Sequence, residues 1–322
     1  MSEPAFPARI IAIRYEATDV LSFVLKPIDP ARISPVDPGS HIDVHLPNGM
    51  DRSYSLSNNS GDERSYRLTV ARDLKSRGGS TYMHDGMRVG QIVNISGPRN
   101  NFVLAEDAPL TVFVAGGIGV TPFIPMMVRL NVCSRKWRIH YSVRTRDRAA
   151  LLQEIEQLAA VGHGEVLPNF DGEPDGVMLD LKALIAGVPA GTHLYCCGPT
   201  GMLNAFREGC DSASIDSARI HFEYFQSEAV SATEGGFVVV LQKSGKSVTV
   251  APGQTILQAL TSIGVTVPFS CMEGMCGACE TRIVAGIADH RDMILSDRER
   301  ADNKSMMVCC SGSKSPTLTL DL

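Results

Sequence analysis

Up to about residue 105 the chain alternates apolar and polar positions in short runs. The stretches 8–15, 20–25, 41–46, 66–71 and 92–96 are β-branched or alternating, the period-two pattern of half-buried strands. Turn-forming residues punctuate them, as at Asp37-Pro38-Gly39, Pro47-Asn48-Gly49 and Ser96-Gly97-Pro98. This rhythm predicts a small antiparallel β-barrel, with one short helical piece at about 79–86.

From residue 110 the pattern changes. A continuous apolar run, 110–115, leads into Gly116-Gly117-Ile118-Gly119-Val120-Thr121-Pro122 and a helical period to about 130. Strand 138–142, helix 149–160, strand 192–196, helix 201–208 and strand 219–222 follow, with Cys197-Gly198-Pro199 after the penultimate strand. Strands alternating with helices predict an α/β domain with a parallel sheet and ligands at the carboxyl ends of its strands. The polar, aperiodic stretch 226–236 reads as an interdomain linker. A third unit opens with a hairpin, 237–241 and 247–250, across Ser244-Gly245, followed by helix 254–262. Strand 282–284, a short helix at 297–303, strand 306–310 and a last strand at 317–320 predict an α+β domain of β-grasp type. The expected division is a barrel over 1–108, an α/β domain over 109–226, a linker over 227–236 and the α+β domain over 237–322.

The 322 residues, 44% apolar and 20% charged, suit a multidomain globular chain. A net charge of −5 without a Lys/Arg block argues against nucleic-acid binding. No apolar run approaches the ~20 residues of a membrane span. The opening Met1-Ser2-Glu3-Pro4 has neither a basic nor an apolar region of the secretory kind. The expected location is the cytoplasm, with the nine cysteines as thiols or ligands rather than a disulfide framework.

Four of those cysteines carry a pattern. Cys271, Cys276 and Cys279 stand in C-x4-C-x2-C spacing, and Cys309 follows. This is the plant-type [2Fe–2S] spacing, and Gly274 and Gly277 leave room for amides to approach the sulfurs. The competing readings are a buried thiol cluster or zinc, but zinc sites mostly pair C-x2-C units and only one occurs here. Cys310 competes with Cys309 as fourth ligand, since neighbours on a strand point to opposite sides. Cys133, Cys196 and Cys210 read as small buried apolar residues.

Two stretches of the barrel also carry chemistry. Arg52-Ser53-Tyr54-Ser55 would put charge and stacking on one side of a strand and hydrogen bonding on the other, or be an ordinary amphipathic strand. Arg77-Gly78-Gly79-Ser80 would cradle a phosphate at a helix start, or form a plain turn. The 116–122 turn sits between strand and helix, where amides favour a pyrophosphate. It departs from G-x-G-x-x-G, because Pro122 takes the third glycine position. Arg144, Arg146 and Arg148 follow the second strand, where arginine can meet the 2′-phosphate of NADPH, or make a solvated basic loop.

Taken in this order, barrel, nucleotide domain and plant-type ferredoxin resemble the phthalate dioxygenase reductase family of the ferredoxin-NADP reductase superfamily. The resemblance rests on Arg52-x-Tyr54-Ser55, the 116–122 turn, Cys197-Gly198-Pro199 and the cysteine spacing, and extends to His221-Phe222-Glu223-Tyr224-Phe225 and Asp289-His290-Arg291-Asp292-Met293. It implies FMN, rather than FAD, held by Arg52, Ser53, Tyr54, Ser55, Arg77, Gly78, Gly79 and Ser80, with Ser55 near the flavin N5. It implies NADH, rather than NADPH, on Gly116, Gly117, Gly119, Thr121, Pro122, Cys197, Gly198 and Pro199, with Thr121 and Cys197 nearest the nicotinamide. Phe225 would lie beside the flavin, and Cys271, Cys276, Cys279 and Cys309 would hold the cluster. The implied activity is an oxidoreductase that passes electrons singly from NADH through flavin and cluster to a terminal Rieske-type aromatic oxygenase or O-demethylase. The alternatives are a reductase for a cytochrome P450, or a ferredoxin-type carrier without its own NADH oxidation.

Overall fold

The computed structural model describes residues 5–58, 64–73, 78–225, 231–269, 272, 274, 275 and 277–322. The chain divides into two compact units, one ending at Phe225 and one formed by the chain after it.

The first unit begins with an antiparallel sheet of β1 (Phe6–Ala17), β2 (Val20–Pro27), β3 (Ser40–His45), β4 (Asp51–Ser55), β5 (Tyr66–Ala71) and β6 (Ile92–Asn100), with α1 (Gly79–Gly86) before the last strand. The strand order is β4-β3-β6-β1-β2-β5, and a bridge between Leu56 and Leu68 brings its two edges together into a barrel. Alternation drives this: Ile10, Phe23, Ile42 and Leu68 point inward and are fully buried. Register shifts in the β1–β2 pair, between Ile10 and Ala12 and again between Tyr15 and Ala17, supply the local bending that closure needs.

The parallel layer follows as β7 (Thr111–Gly116), α2 (Phe123–Val132), β8 (Trp137–Val143), α3 (Leu152–Val161), β9 (Gly164–Phe170), α4 (Leu181–Ala186), β10 (His193–Gly198), α5 (Thr200–Ser212) and β11 (Ile220–Tyr224). Its order is β11-β10-β7-β8-β9. β9 and α4 were not predicted by periodicity. β9 is an edge strand with Glu165 and Pro168 inside it, and an edge tolerates the proline a central strand would refuse. α4 spans six residues and is capped by the Asp180 carboxylate, too short to display a helical period. Barrel and parallel layer share a core in which Phe102 and Leu104 pack with Phe113, Phe123 and Tyr195. The Tyr195 hydroxyl donates to the Val103 carbonyl at 3.0 Å and accepts the Ala105 amide at 2.8 Å.

The second unit contains β12 (Phe237–Leu241), β13 (Ser247–Val250), α6 (Ile256–Ser262), β14 (Glu280–Ala285), β15 (Ala288–Asp289), α7 (Asp297–Asp302), β16 (Ser305–Met307), β17 (Gly312–Ser313) and β18 (Thr317–Leu320). A mixed sheet, β13-β12-β18-β14-β16, carries α6 across a core that includes Val239, Leu260, Met306 and Leu318. Two expectations change here. The described part of the 226–236 stretch is held on this unit: the Ala232 amide donates to the Cys310 carbonyl and the Gly253 amide to the Thr233 carbonyl, each at 2.7 Å. Polar composition suggested an interdomain linker because it does not reveal backbone pairing. Strand 306–310 stops at Met307, whose carbonyl accepts the amides of Cys310 at 3.3 Å and Ser311 at 3.0 Å in a turn. Strand alternation therefore does not decide between Cys309 and Cys310. Cys133 also differs from expectation, being half-buried with its thiol 3.7 Å from the Glu106 carboxylate. Among the described residues no helix is long and apolar enough to cross a membrane.

Ile42 is fully buried opposite Tyr54 in the β3–β4 register. Ile42→Ala should lower stability by about 2–5 kcal/mol, the usual cost of such a cavity, read from urea denaturation.

Candidate functional site

The β3–β4 register pairs Arg52 with Val44 and Tyr54 with Ile42 on one face, and Ser53 with Asp43 and Ser55 with His41 on the other. Charge and aromatic ring are thus separated from the hydroxyls, as alternation required. Arg52 lies along the start of α1: a Cβ at Gly79 would stand 2.6 Å from its Nε. Gly78 precedes the helix in the left-handed region, and the Ser80 hydroxyl accepts the Asp73 amide at 3.1 Å. Arg52, Gly78, Gly79 and Ser80 therefore converge where helix amides and a guanidinium can hold a phosphate. Arg77 lies outside the described residues. Burial pushes the Tyr54 hydroxyl up to about 12, against the pull of Arg52, so the phenol stays neutral and offers its ring.

The second cleft lies at the carboxyl ends of β7 and β10. These strands are neighbours, and the chain departs from them toward opposite edges of the sheet, the switch point where α/β sheets bind ligands. The turn Gly117–Val120 packs onto the end of β10 so closely that a Cβ at Gly119 would lie 2.1 Å from the Cys197 carbonyl oxygen. A Cβ at Gly116 would meet Pro199 Cδ at 2.6 Å, whereas nothing lies within 4 Å of one at Gly117. Glycine is needed where the turn touches β10, and the turn is open where a ligand would pass. Thr121 is buried and donates its hydroxyl to the Ile118 carbonyl at 3.1 Å, and Pro122 caps α2. Gly198 ends β10 and Pro199 caps α5.

One residue at this cleft escaped the sequence reading as a site. Glu223 is the register partner of Cys197 in the β10–β11 pair, and the Ser55 hydroxyl donates to its Oε2 at 3.3 Å. Barrel strand and nucleotide layer meet in this contact. Burial raises the Glu223 carboxyl to about 8, with the Ser55 hydrogen bond opposing. The side chain keeps a partly exposed edge, so water that reaches it moderates the size of the rise but not its direction. Burial, then Glu223, then Cys196 push the Cys197 thiol well up, so it stays an S–H. The available signal for Glu223 was an acid among the apolar and aromatic residues of its strand. Phe225, just beyond β11, packs half-buried against the shared core.

At the far end of the same layer, Asp171 follows β9, with Oδ1 buried, without a hydrogen bond, and 3.9 Å from Arg144 Nε. Arg148 is paired with Asp19 at 3.0 Å, and Arg146 lies over the Phe170 ring at 4.6 Å.

In the second unit, β14 pairs with β16 in a register that sets Glu280 against Met307, and the Val308 amide donates to the Cys279 carbonyl at 3.5 Å. Cys279 and Cys309 thereby come to the same end of the sheet, both buried. Cys271 and Cys276 lie outside the described residues, and among those described no group of three metal-ligating side chains converges. The loop between is held from outside, since Met293 donates its amide to the Gly274 carbonyl at 3.0 Å. Gly274 has φ +70°, and a Cβ there would lie 2.5 Å from Cys310 Sγ. Cys310 therefore packs behind the loop.

Two family models match: an oxidoreductase NAD-binding domain over residues 113–208 and a 2Fe-2S iron-sulfur cluster binding domain over residues 239–313. The chain is 49% identical to the phenoxybenzoate dioxygenase subunit beta of Ectopseudomonas oleovorans, over 98% of this chain and 96% of that protein. It also superposes on phthalate dioxygenase reductase, described as a modular structure for electron transfer from pyridine nucleotides to [2Fe–2S], with TM-score 0.74, 34% identity and coverage of 99% and 98%. The chain belongs to the phthalate dioxygenase reductase family. An intact type IV self-sufficient cytochrome P450 monooxygenase matches as well, with TM-score 0.81 and 37% identity, over 99% of this chain and 41% of that one. Members of this family are oxidoreductases, and this one has the NAD-binding and [2Fe–2S] domains the activity needs.

In this reductase Gly274→Ala should give protein that keeps its flavin but loses most of its iron, because the added methyl strikes a buried sulfur. Cys309→Ser should lose the cluster absorbance, whereas Cys310→Ala should retain it; iron assay with visible spectra reads both.

Proposed function

We propose that this chain is the reductase component of an oxygenase system, oxidising NADH and delivering electrons singly to a terminal Rieske-type aromatic oxygenase. The contact of Ser55 with Glu223 beside Cys197 carries the reading, because it joins a flavin-binding strand to a nucleotide cleft. Bound FMN would convert hydride into single electrons and the [2Fe–2S] cluster would pass them out.

The rest falls to the protein's own residues. Arg52 with the amides of Gly78, Gly79 and Ser80, together with Arg77, would hold the flavin phosphate, and Tyr54, beside Ser53, would offer its ring for the flavin to stack on. Gly116, Gly117, Gly119, Thr121 and Pro122 receive the dinucleotide, and Cys197, Gly198 and Pro199 form the opposite wall. The neutral Cys197 thiol and a proton favoured on Glu223 by burial would leave the end of β10 uncharged where a nicotinamide would bind, and Phe225 would lie beside the flavin. Cys271, Cys276, Cys279 and Cys309 ligate the cluster. Asp171 favours NADH: its carboxylate, with Arg144 3.9 Å away, stands just beyond β9 where it would repel a 2′-phosphate. Two of the three nearby arginines are engaged elsewhere.

The likeness to the self-sufficient P450 supports a second reading, with a haem as acceptor. The full-length match to a dioxygenase subunit favours the first. NADH-driven reduction of a purified Rieske oxygenase component, compared with a P450 haem under carbon monoxide, separates them. Under argon, NADH should bleach both flavin and cluster, and NADPH should act more slowly. Colourless, iron-free protein from an iron-replete host would sink the proposal.

Glu223 supplies a pH test. Its folded-state value, about 8, lies above the unfolded 4.5, so the folded protein keeps a proton that the unfolded chain releases. Stability therefore falls as pH rises between these values. Glu223→Gln should flatten that part of the Tm-against-pH profile.

A further inference from the structure

The barrel is joined at β4 and β5 by the Leu56–Leu68 bridge, one residue beyond Ser55. Arg67 stands on this seam. Its carbonyl accepts the Ser57 amide at 2.8 Å, and its Nε donates to the Ser57 carbonyl at 2.7 Å, with Nη2 against the same oxygen. The guanidinium then reaches out of the barrel to α3 of the nucleotide layer. Nη1 donates to Glu154 Oε2 at 2.9 Å and Nη2 to Oε1 at 2.8 Å. Such a fork fixes distance and plane together.

Its surroundings separate this pair from the Arg148–Asp19 ion pair, which also joins the two layers. The Arg67 and Glu154 side chains are 12% and 19% exposed, against 48% and 47% for Arg148 and Asp19. Exposed pairs are screened and flexible; a shielded fork holds its geometry. The β4–β5 seam is therefore tied to the nucleotide layer twice, by Ser55 of β4 on Glu223 and by Arg67 of β5 on Glu154.

We propose that Arg67 and Glu154 are positioning residues for hydride transfer. The pair sets the separation between the Ser55 strand and the nucleotide cleft without touching either ligand. This rests on the flavin and NADH placement proposed above. A misplacement of about 1 Å can cost roughly a hundredfold in rate, so the pair acts on turnover more than on binding.

The test is anaerobic stopped-flow reduction of the flavin by NADH in the full-length protein. Glu154→Gln keeps the shape and removes the charge, and Arg67→Lys keeps the charge and removes the fork. Each should lower the limiting reduction rate by about tenfold or more, on the same positioning argument. Half-saturating NADH, flavin content and flavin midpoint potential should stay at wild-type values. The charge-reversed double variant, Arg67→Glu with Glu154→Arg, should recover part of the rate lost in either single reversal. Wild-type limiting rates in Glu154→Gln and Arg67→Lys would overturn the proposal, as would a loss confined to half-saturating NADH. If one variant loses its flavin, the other decides. Wild-type protein that NADH does not reduce would remove the functional reading itself; wild-type rates in both Glu154→Gln and Arg67→Lys remove only the positioning role.

Discussion

The nucleotide cleft depends on one close approach of backbone to backbone. Gly119 lies so near the Cys197 carbonyl that any side chain would collide with it, and Gly116 lies close against the Pro199 and Met202 side chains. This contact brings the start of α2 against the end of β10, at the point where the sheet's connections diverge. β10 then dictates the rest by register. Cys197 is set beside Glu223, and Glu223 is presented to Ser55 on the barrel. A bulkier residue at position 119 would disturb both walls of the cleft and the junction to the flavin-side strand.

The groups brought together there are mostly neutral. Burial holds a proton on Cys197 and Tyr54 and favours one on Glu223. Neutral donors and an aromatic face suit a site that orients a dinucleotide against a ring and leaves redox chemistry to cofactors. Charge sits at the periphery instead, on Arg52 near the helix start and on Asp171 beyond β9. The cluster end follows another logic. Its loop is supported by Met293 from one side and by the Cys310 sulfur beneath Gly274, so a cysteine that need not bind iron shapes the loop.

Much of the fold was legible because it is locally encoded. Alternation marked the barrel strands, and the strand over Tyr66–Ala71 and the helix over Gly79–Gly86 have the predicted ends. Where a tertiary setting overrides local preference, legibility failed. β9 forms despite Pro168 because it is an edge strand, and the stretch before β12 is held down because its amides find partners on the iron–sulfur unit. The Cys309–Cys310 turn looked like strand because its residues are apolar, and only the Met307 carbonyl reveals the turn.

By itself, the sequence determined the order of the three domains, the spacing that places three cysteines on one loop, and the glycine turns that permit close approach. Each is a property of residues near one another in the chain. Only the tertiary structure decided that Ser55 meets Glu223, 168 residues away, and that Arg67 meets Glu154, 87 residues away. An acid or an arginine reads the same in sequence whether it is solvated or paired. Packing alone removes the water and supplies the partner.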